Sequence, residues 1–323
     1  MTGKARIAIG AAAAVLLAGC ASRRAEPVAA LPKPGQTYQV DGQTLTITGM
    51  TALPSPGGAA VAAPVAPAGA PAQFQYLYGS GEGAAISVQA WNDLVRYVRD
   101  TVKARPADSV VLAPGATLSD PRYVACGAKP YAAVFDVDET VLLNLGFEYD
   151  AVGGRAFDQK RWDAWERTGV AQVAAVPGAK MGLDALRAMG VTVVFNTNRA
   201  VGNAAQTKAA IEGVGLGPAR HGETLFLAGD DAGGSKKDGR RATIARRYCV
   251  IAMGGDQLTD FSDLFNAGLS PVQRRAAVMA APIAGRWGAG WFVLPNPVYG
   301  SALKGGVDDI FPPAVRWTPA GEQ

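Results

Sequence analysis

The sequence is poor in the residues that several common kinds of site require. His221 is the single histidine among 323 residues, which excludes a histidine-rich zinc centre and any enzyme that uses one histidine as nucleophile and another as acid. Three cysteines are too few to build a disulfide scaffold. Charged residues make up only 18% of the chain, and the net charge of +4 is not concentrated in a run. A nucleic acid polymer is therefore not expected as a partner.

Long apolar runs are also missing after the first residues, so no later segment is expected to span a membrane. Apolar residues nevertheless make up 49% of the chain, which is enough for a large core and excludes a fully disordered protein. The length predicts one domain of catalytic size with appendages.

The start of the chain has the order of an export signal. Lys4 and Arg6 precede a short apolar stretch that ends in Leu-Ala-Gly before Cys20. This pattern resembles a bacterial lipobox, in which the cysteine is lipidated, and an ordinary secretory signal with a chance cysteine is the alternative. We expect residues 1–19 to be a signal peptide and Cys20 to carry a lipid anchor. Because no Asp follows Cys20, the expected location in the cell envelope is the outer membrane, facing the periplasm or the surface.

Composition divides the rest of the chain in two. Residues 20–73 are rich in Ala, Pro and Gly and read as a tether, in which β-formers around Asp41-Gly42 predict a small hairpin. Residues 74–323 form the globular part, where apolar runs alternate with helical patterns. Strands are predicted at 131–135, 191–197, 224–228, 248–254 and 291–294, and helices at 91–104, 178–189, 203–213, 239–247 and 271–284. This alternation predicts an α/β fold with a parallel sheet covered on both faces, whose ligands bind at the carboxyl ends of the strands.

The first of these strands ends in two acids. Asp136 and Asp138 directly follow the apolar run at 131–135. Two carboxylates so close together at a strand end require neutralisation, which a hard divalent cation supplies. A helix cap would explain one of the two aspartates but not both.

The next strand ends bring hydroxyl, basic and acidic groups. Thr197 ends the second strand, Lys236 and Lys237 lie in a basic segment after the third, and Asp256 and Asp260 follow the fourth. The last two residues lie on one face if a helix begins there. Each of these signals is weak alone, but their order behind successive apolar strands makes them strong together.

The four motifs D-x-D-x-T, T-N-R, S-x-K-x-x-R and G-D-x-x-x-D together resemble the haloacid dehalogenase superfamily. Two further stretches resemble the class C bacterial acid phosphatases, which are outer-membrane lipoproteins that act as 5'-nucleotidases: Trp162–Trp165 with Pro177–Ala179, and Leu294–Gly300. The resemblance covers about residues 74–304 and implies a three-layer, Rossmann-like sheet with a small cap. The chain departs from the family's D-N-S-x-Y, because it has Leu143-Asn144-Leu145-Gly146-Phe147 there.

The resemblance implies a role for each acid. Asp136 is expected to attack phosphorus and form an aspartyl-phosphate, and Asp138 to protonate the leaving oxygen and then deprotonate water. The expected cofactor is Mg²⁺, with Mn²⁺ or Co²⁺ as alternatives. Its expected ligands are Asp136, Asp256 and the backbone carbonyl of Asp138, with Asp260 in a supporting role.

The resemblance also implies how the substrate is held. Thr197 and Lys237 are expected to bind phosphoryl oxygens, with Lys236 as the alternative lysine. An insert at about residues 141–177 should form the cap over the site. Aromatic rings near the mouth are expected to stack on a nucleobase. The substrate-binding candidates are Asn198, Arg199, Phe147, Trp91 and Tyr149; for Trp162 and Trp165, three residues apart on one helix face, we favour core packing.

We therefore expect a magnesium-dependent acid phosphatase for small phosphomonoesters, above all nucleoside 5'-monophosphates. The alternatives are a phosphatase for small esters without preference for a base, and a surface binding lipoprotein on a retained phosphatase fold. The sequence leaves open the preferred ester, the native metal, the pH optimum and the oligomeric state. It also leaves open whether Cys126 and Cys249 pair, although the position of Cys249 at the start of a buried strand argues against a disulfide.

Overall fold

The computed structural model describes residues 69–319 and two short strands before them. The chain divides into two compact units, Met1–Ala66 and Pro67–Gln323. In the first unit, β1 (Thr37–Val40) and β2 (Gln43–Thr46) pair antiparallel, as the Asp-Gly between them predicts. The predicted signal peptide, Cys20 and most of the predicted tether lie outside the described residues. The second unit begins a few residues before the predicted boundary at residue 74.

The second unit alternates strands and helices along the chain. In order they are α1 (Ala72–Phe74), α2 (Gly81–Ala104), β3 (Asp108–Leu112), β4 (Tyr123–Ala125), β5 (Tyr131–Phe135), β6 (Leu142–Leu143), α3 (Leu145–Ala151), α4 (Gln159–Thr168), β7 (Ala174–Ala175), α5 (Ala179–Ala188), β8 (Thr192–Ala200), α6 (Ala204–Gly213), β9 (Leu225–Ala228), α7 (Asp238–Arg247), β10 (Cys249–Gly255), α8 (Pro271–Met279), α9 (Ala281–Ala284), β11 (Trp291–Val293) and α10 (Val307–Ile310). A short π-helix, Gln75–Gly79, joins α1 to the residue before α2.

Five strands form the central sheet in the order β11-β10-β5-β8-β9, and all neighbours are parallel. The five predicted strands are these five, so the predicted α/β fold with a parallel sheet is confirmed. Alternate side chains of a strand reach opposite faces. In β5, Ala133 and Phe135 join the core under α2, α5 and α6, whereas Ala132 and Val134 join a second core under α7 and β3. Because both faces are covered, β5 and β9 are apolar throughout, whereas β8 is apolar over 193–195 and turns polar toward its carboxyl end.

Three elements differ from the prediction. Helix α2 begins at Gly81, well before the predicted start at Trp91, because Ser80 caps it by accepting a hydrogen bond from the Gly83 amide at 2.9 Å. The predicted helix at 271–284 is two helices that break at Ala280, just before Pro282. The antiparallel pair β3–β4 was not predicted, and it covers part of the second sheet face. Within residues 69–319, no helix is both long enough and apolar enough to cross a bilayer.

Cys126 and Cys249 form a disulfide, and both side chains are buried. The expectation against this bond was wrong. Although Cys249 is buried, it lies beside the segment before β5. Its amide donates to the carbonyl of Pro130 at 2.8 Å. The bond joins the chain just after β4 to the first residue of β10.

The insert, residues 141–177, lies between β5 and α5. Strands β6 and β7 pair antiparallel where it leaves and rejoins the sheet layer, and α3 and α4 lie between them. This arrangement places two short helices of the insert at the carboxyl end of β5, where the acidic motif lies.

Candidate active site

A cavity of about 700 Å³ lies at the carboxyl ends of the central strands. It is lined by Asp136 and Asp138 after β5, by Asn198 near the end of β8, and by Asp256 after β10. Parallel strands end at the same edge of a sheet, so residues far apart in sequence meet there. The structure thus brings the predicted acidic motifs together.

Lys237 lies at the floor of this cavity and is buried. Its ammonium donates to Oδ1 of Asp136 at 2.5 Å and to Oδ1 of Asp260 at 2.7 Å. Lys236, the alternative lysine, is exposed. Although burial alone would lower the pKa of Lys237, the two carboxylates raise it, so the lysine stays charged. The structure therefore favours Lys237 as the lysine of the basic motif.

Asp136, Asp256 and Asp260 form a carboxylate cluster, since one oxygen of each lies within 4.8 Å of the others. Burial raises the pKa of Asp136 well above its usual range, and Lys237 opposes this. Burial and the charge of Asp260 raise the pKa of Asp256 to about 7. The cluster has three buried acids but only one lysine, so its negative charge is not fully balanced. The donor set, which consists of oxygen atoms alone, therefore fits a divalent cation of the hard type.

Neighbouring groups fix the orientation of Asp256. Its Oδ1 accepts from the hydroxyl of Thr140 at 3.2 Å, and its Oδ2 accepts from Gln257 Nε2 at 2.9 Å and Asn296 Nδ2 at 2.7 Å. Asn296 belongs to the predicted stretch Leu294–Gly300, for which sequence reasoning assigned no role. Amides that hold a candidate metal ligand in place are typical of metal sites in proteins.

Asp260 is brought close to the cluster by the turn that follows β10. In the short 3₁₀ turn Leu258–Asp260, the amide of Gln257 donates to Oδ2 of Asp260 at 2.9 Å. A Cβ atom on Gly255 would lie only 2.2 Å from Cβ of Asp260, so the motif requires glycine before Asp256. Asp260 also accepts from Lys237, and its supporting role at the metal remains a prediction.

Asp138 faces the cavity on one side and a buried polar network on the other. Arg199 donates to Oδ1 of Asp138 from Nε at 2.9 Å and from Nη2 at 2.8 Å. Arg199 is only 2% exposed and does not line the cavity. The expectation that Arg199 binds substrate is therefore corrected, because its guanidinium is occupied by the acid itself.

The other residues of the T-N-R motif are neighbours in β8 but differ in exposure. Thr197 is fully buried, and its hydroxyl lies 3.4 Å from Oδ2 of Asp138. Asn198 is exposed and lines the cavity, and its Oδ1 accepts from Arg240 Nη2 at 2.7 Å. Contact of Asn198 with a phosphate and a role for Thr197 in holding phosphoryl oxygens remain predictions.

A family model for the HAD superfamily, subfamily IIIB (acid phosphatase), matches residues 82–302. The chain belongs to this family of acid phosphatases. It is therefore a phosphoric monoester hydrolase, and the predicted family is confirmed. Two solved structures share its fold, the class C acid phosphatase from Bacillus anthracis and the same enzyme with tungstate bound. Each is 24% identical, with a TM-score of 0.58, over 71% of this chain and 84% of that chain. No curated protein matches the sequence.

Three aromatic residues of the insert, Phe147, Phe157 and Trp162, line the cavity of this acid phosphatase. Phe147 and Trp162 pack edge to face, with ring centroids 4.9 Å apart. Trp162 therefore both packs on Phe147 and lines the cavity. Trp165 is half-buried, and its indole N–H donates to Asn144 at 3.2 Å. Tyr149, a predicted substrate residue, is 81% exposed and does not line the cavity.

Trp91 lies in the core and not at the mouth of the acid phosphatase site. It is 1% exposed and stacks on Phe135, with ring centroids 5.1 Å apart. A Cβ atom on Gly182 would lie 2.3 Å from its ring, so α5 packs closely over it. The expectation that Trp91 stacks on a base is therefore wrong. Its helical spacing with Leu94 and Val98 marked it as a core residue.

Sequence reasoning missed several residues of the site. Gln73 and Phe74 of α1 form part of the cavity wall, and the insert adds Glu148, Phe157 and Arg161. Aromatic and charged side chains in the insert gave a partial signal, but α1 is too short to be predicted from periodicity. The last group missed is the buried carboxylate of Glu139, which accepts from the hydroxyls of Tyr78 and Tyr299.

Proposed function

We propose that this acid phosphatase hydrolyses nucleoside 5'-monophosphates, with Asp136 as nucleophile and a magnesium ion at the carboxylate cluster. One observation carries the proposal: a single cavity has Asp136, held by Lys237, at its floor and the pair Phe147 and Trp162 in its wall. The floor suits a phosphate and the wall suits an aromatic base.

The proposed reaction has two steps. In the first, an oxygen of Asp136 forms a bond to phosphorus while the bond between phosphorus and the ester oxygen breaks. The ester oxygen keeps the electron pair of that bond and takes a proton from Asp138, so the alcohol leaves as a neutral molecule. In the second, water attacks phosphorus, returns a proton to Asp138 and releases Asp136. One ester and one water thus become one alcohol and one phosphate.

Residues around the phosphate have defined tasks in this proposal. The charge of Lys237 balances Asp136 before the reaction and the transferred phosphoryl group during it. Thr197 holds phosphoryl oxygens, and Asn198 contacts the phosphate. A divalent cation, when bound to Asp136, Asp256 and the backbone carbonyl of Asp138, supplies further positive charge at this point. Oxygen ligands favour magnesium, with manganese or cobalt as alternatives.

Hydrolysis of small esters without preference for a base is the second candidate. It is favoured by the position of Arg161, whose guanidinium carbon lies 5.1 Å from the centre of the Phe147 ring. A base that stacks on this face of the ring would have to displace the guanidinium. The second candidate needs no such movement.

The rate of phosphate release decides between the two candidates. A nucleoside 5'-monophosphate and glycerol phosphate would be compared as separate substrates at equal concentrations. A value of kcat/KM at least about ten-fold higher for the nucleotide supports a base site, since stacking contributes about 1–3 kcal/mol. Equal values support the second candidate.

Binding of the metal is tested by thermal stability, without an activity assay. We expect magnesium chloride to raise the Tm of the chain, because an ion that binds only the folded state stabilises it. The Asp256→Asn variant should lose most of this increase. An equal increase in both proteins would argue against the carboxylate cluster as the magnesium site.

We also propose that the protein is exported and anchored at the outer membrane by a lipid on Cys20. The order of basic, apolar and small residues before Cys20 supports export. The disulfide between Cys126 and Cys249 supports it too, because such bonds persist mainly outside the cytosol. Mass spectrometry of the mature N-terminal peptide tests the anchor. An unmodified cysteine, or an uncleaved N-terminus, would contradict it.

A further inference from the structure

Asn144 lies behind the cavity with its side chain fully buried. Its Nδ2 donates to Oδ1 of Asp138 at 3.0 Å and to both carboxylate oxygens of Glu139 at 3.1 Å. Its Oδ1 accepts from Nη2 of Arg199 at 2.8 Å and from the indole of Trp165 at 3.2 Å. Two acids on one side and two donors on the other leave a single orientation for this amide.

The two oxygens of Asp138 differ sharply in their contacts. Oδ1 accepts three N–H groups, two from Arg199 and one from Asn144. Among the described residues, Oδ2 accepts one hydrogen bond, from the hydroxyl of Thr197 at 3.4 Å. An oxygen whose lone pairs are all occupied by donors cannot also hold a proton. A proton on Asp138 therefore belongs on Oδ2.

We propose that Asn144 is a positioning residue that, with Arg199, fixes Asp138 so that Oδ2 is the oxygen that delivers the proton to the leaving group. This inference rests on the proposed function, in which Asp138 is the general acid. Asn144 itself touches neither the substrate nor the reacting atoms. It acts through the carboxylate that it holds.

Helix α4 of the insert supports this arrangement at two points. Trp165 donates to Asn144. The next residue, Glu166, is buried and accepts from the amide of Ala200 at 3.0 Å and from Asn203 at 2.8 Å. The helix thus holds Asn144 and the chain directly after Arg199. The insert therefore fixes the general acid as well as lining the cavity.

Glu139 fixes the other side of Asn144. Its backbone is left-handed, with φ of 52°, a conformation that is costly for a residue with a Cβ atom and persists only where its surroundings hold it. Its buried carboxylate accepts from the backbone amide of Asn144 at 2.9 Å and from the hydroxyl of Tyr78 at 3.3 Å. Glu139 therefore holds Asn144 through both its backbone amide and its side chain.

The inference predicts a specific kinetic pattern. An alkoxide is a poor leaving group and needs a proton from the general acid, whereas p-nitrophenolate leaves without one. Proton transfer contributes about 10²–10⁴-fold where it is needed. Loss of positioning should therefore reduce hydrolysis of an alkyl phosphate far more than that of an aryl phosphate. A general loss of structure would reduce both equally.

The experiment uses the full chain with glycerol phosphate and p-nitrophenyl phosphate, which lack a nucleobase. The value of kcat/KM is compared because it reports the steps up to transfer of the phosphoryl group. For Asn144→Ala we expect a loss of about 100-fold on glycerol phosphate and less than about five-fold on p-nitrophenyl phosphate. Equal losses on both esters, or no loss on either, would overturn the inference.

Trp165→Phe keeps a ring in place and removes the donor to Asn144. We expect the same selective pattern at about 3- to 10-fold, consistent with the loss of one hydrogen bond, and this variant decides the question if Asn144→Ala fails to fold. The matched control is Trp287→Phe, which removes an indole donor to the carbonyl of Val278 and does not line the cavity, and it should leave both substrates unchanged. A selective loss in the control, or none in Trp165→Phe, would contradict the role of the insert. A wild-type chain inactive on both esters and also on a nucleoside 5'-monophosphate would instead refute the proposed function.

Discussion

Lys237 and Asp136 are 101 residues apart in the chain, yet the ammonium of one lies 2.5 Å from the carboxylate of the other. Both groups are buried, and the same ammonium also binds Asp260. A lysine at this point makes it possible to hold two buried carboxylates together. In the proposed reaction, Asp136 is the one of these two acids that faces the transferred phosphoryl group.

Replacement of this lysine should be far more damaging than replacement of its neighbour. We expect Lys237→Met to lower kcat at least about 100-fold, because the nucleophile and phosphate lose a buried positive charge. The matched variant, Lys236→Met, alters an exposed side chain and should change kcat less than two- to three-fold, roughly the range of a surface substitution. Steady-state rates of the two variants check this, and a larger loss in Lys236→Met would contradict the assignment.

Trp162 should contribute to recognition of the base. Trp162→Leu should lower kcat/KM for a nucleoside 5'-monophosphate about 5- to 100-fold, since it removes a stacking surface, and should change hydrolysis of glycerol phosphate much less. Tyr149→Leu serves as the control, because Tyr149 is exposed and does not line the cavity. If both variants reduce nucleotide hydrolysis equally, the cavity wall formed by Phe147 and Trp162 is not the base site.

Glu148 should make stability depend on pH. Burial raises the pKa of Glu148 from its usual 4.5 to about 7, and Arg161 opposes this. The folded protein then keeps a proton that the unfolded chain releases, so the contribution of Glu148 to stability falls as pH rises from about 4.5 to 7. The Tm of the wild type should therefore fall relative to that of Glu148→Gln across this window. A constant difference, or one that the exposed Glu223→Gln also produces, would contradict the raised pKa.

The disulfide should contribute strongly to stability. It closes a loop of 123 residues, for which the loss of entropy in the unfolded chain corresponds to about 4–5 kcal/mol. We expect the double variant Cys126→Ser, Cys249→Ser to have a Tm lower by on the order of 10 °C. Thiol titration of denatured Cys20→Ser protein provides the second check. It should find no thiol without reductant and two with it, and two thiols without reductant would exclude the bond.

The sequence predicted the sheet and the acidic motifs because both depend on local pattern. The apolar run before Asp136 marks a buried strand, and the topology of parallel sheets then places its end beside the ends of the other strands. The carboxylate cluster follows from these two facts alone. Lys237 needed the resemblance to a family, because the sequence gives Lys236 the same local surroundings.

Other features depend on contacts that no local pattern contains. The expected role of Arg199 failed because its guanidinium is buried against Asp138, a contact that the T-N-R motif does not reveal. The expected role of Trp91 failed although its helical spacing with Leu94 and Val98 already marked a core position. The pairing of Cys126 with Cys249 depends on how β10 lies beside the segment before β5. Phe74 forms part of the cavity wall because the very short helix α1 lies against the site, and no sequence pattern predicts that position.

The central claim is that Asp136 is the nucleophile of a metal-dependent phosphatase. The most direct test is phosphate release from a nucleoside 5'-monophosphate by the wild type with magnesium, by the wild type with EDTA, and by Asp136→Asn with magnesium. The Tm of each protein is measured beside it. The account predicts release only in the first sample, from proteins that are all folded. Release by folded Asp136→Asn at the wild-type rate, or undiminished release in EDTA, would contradict it.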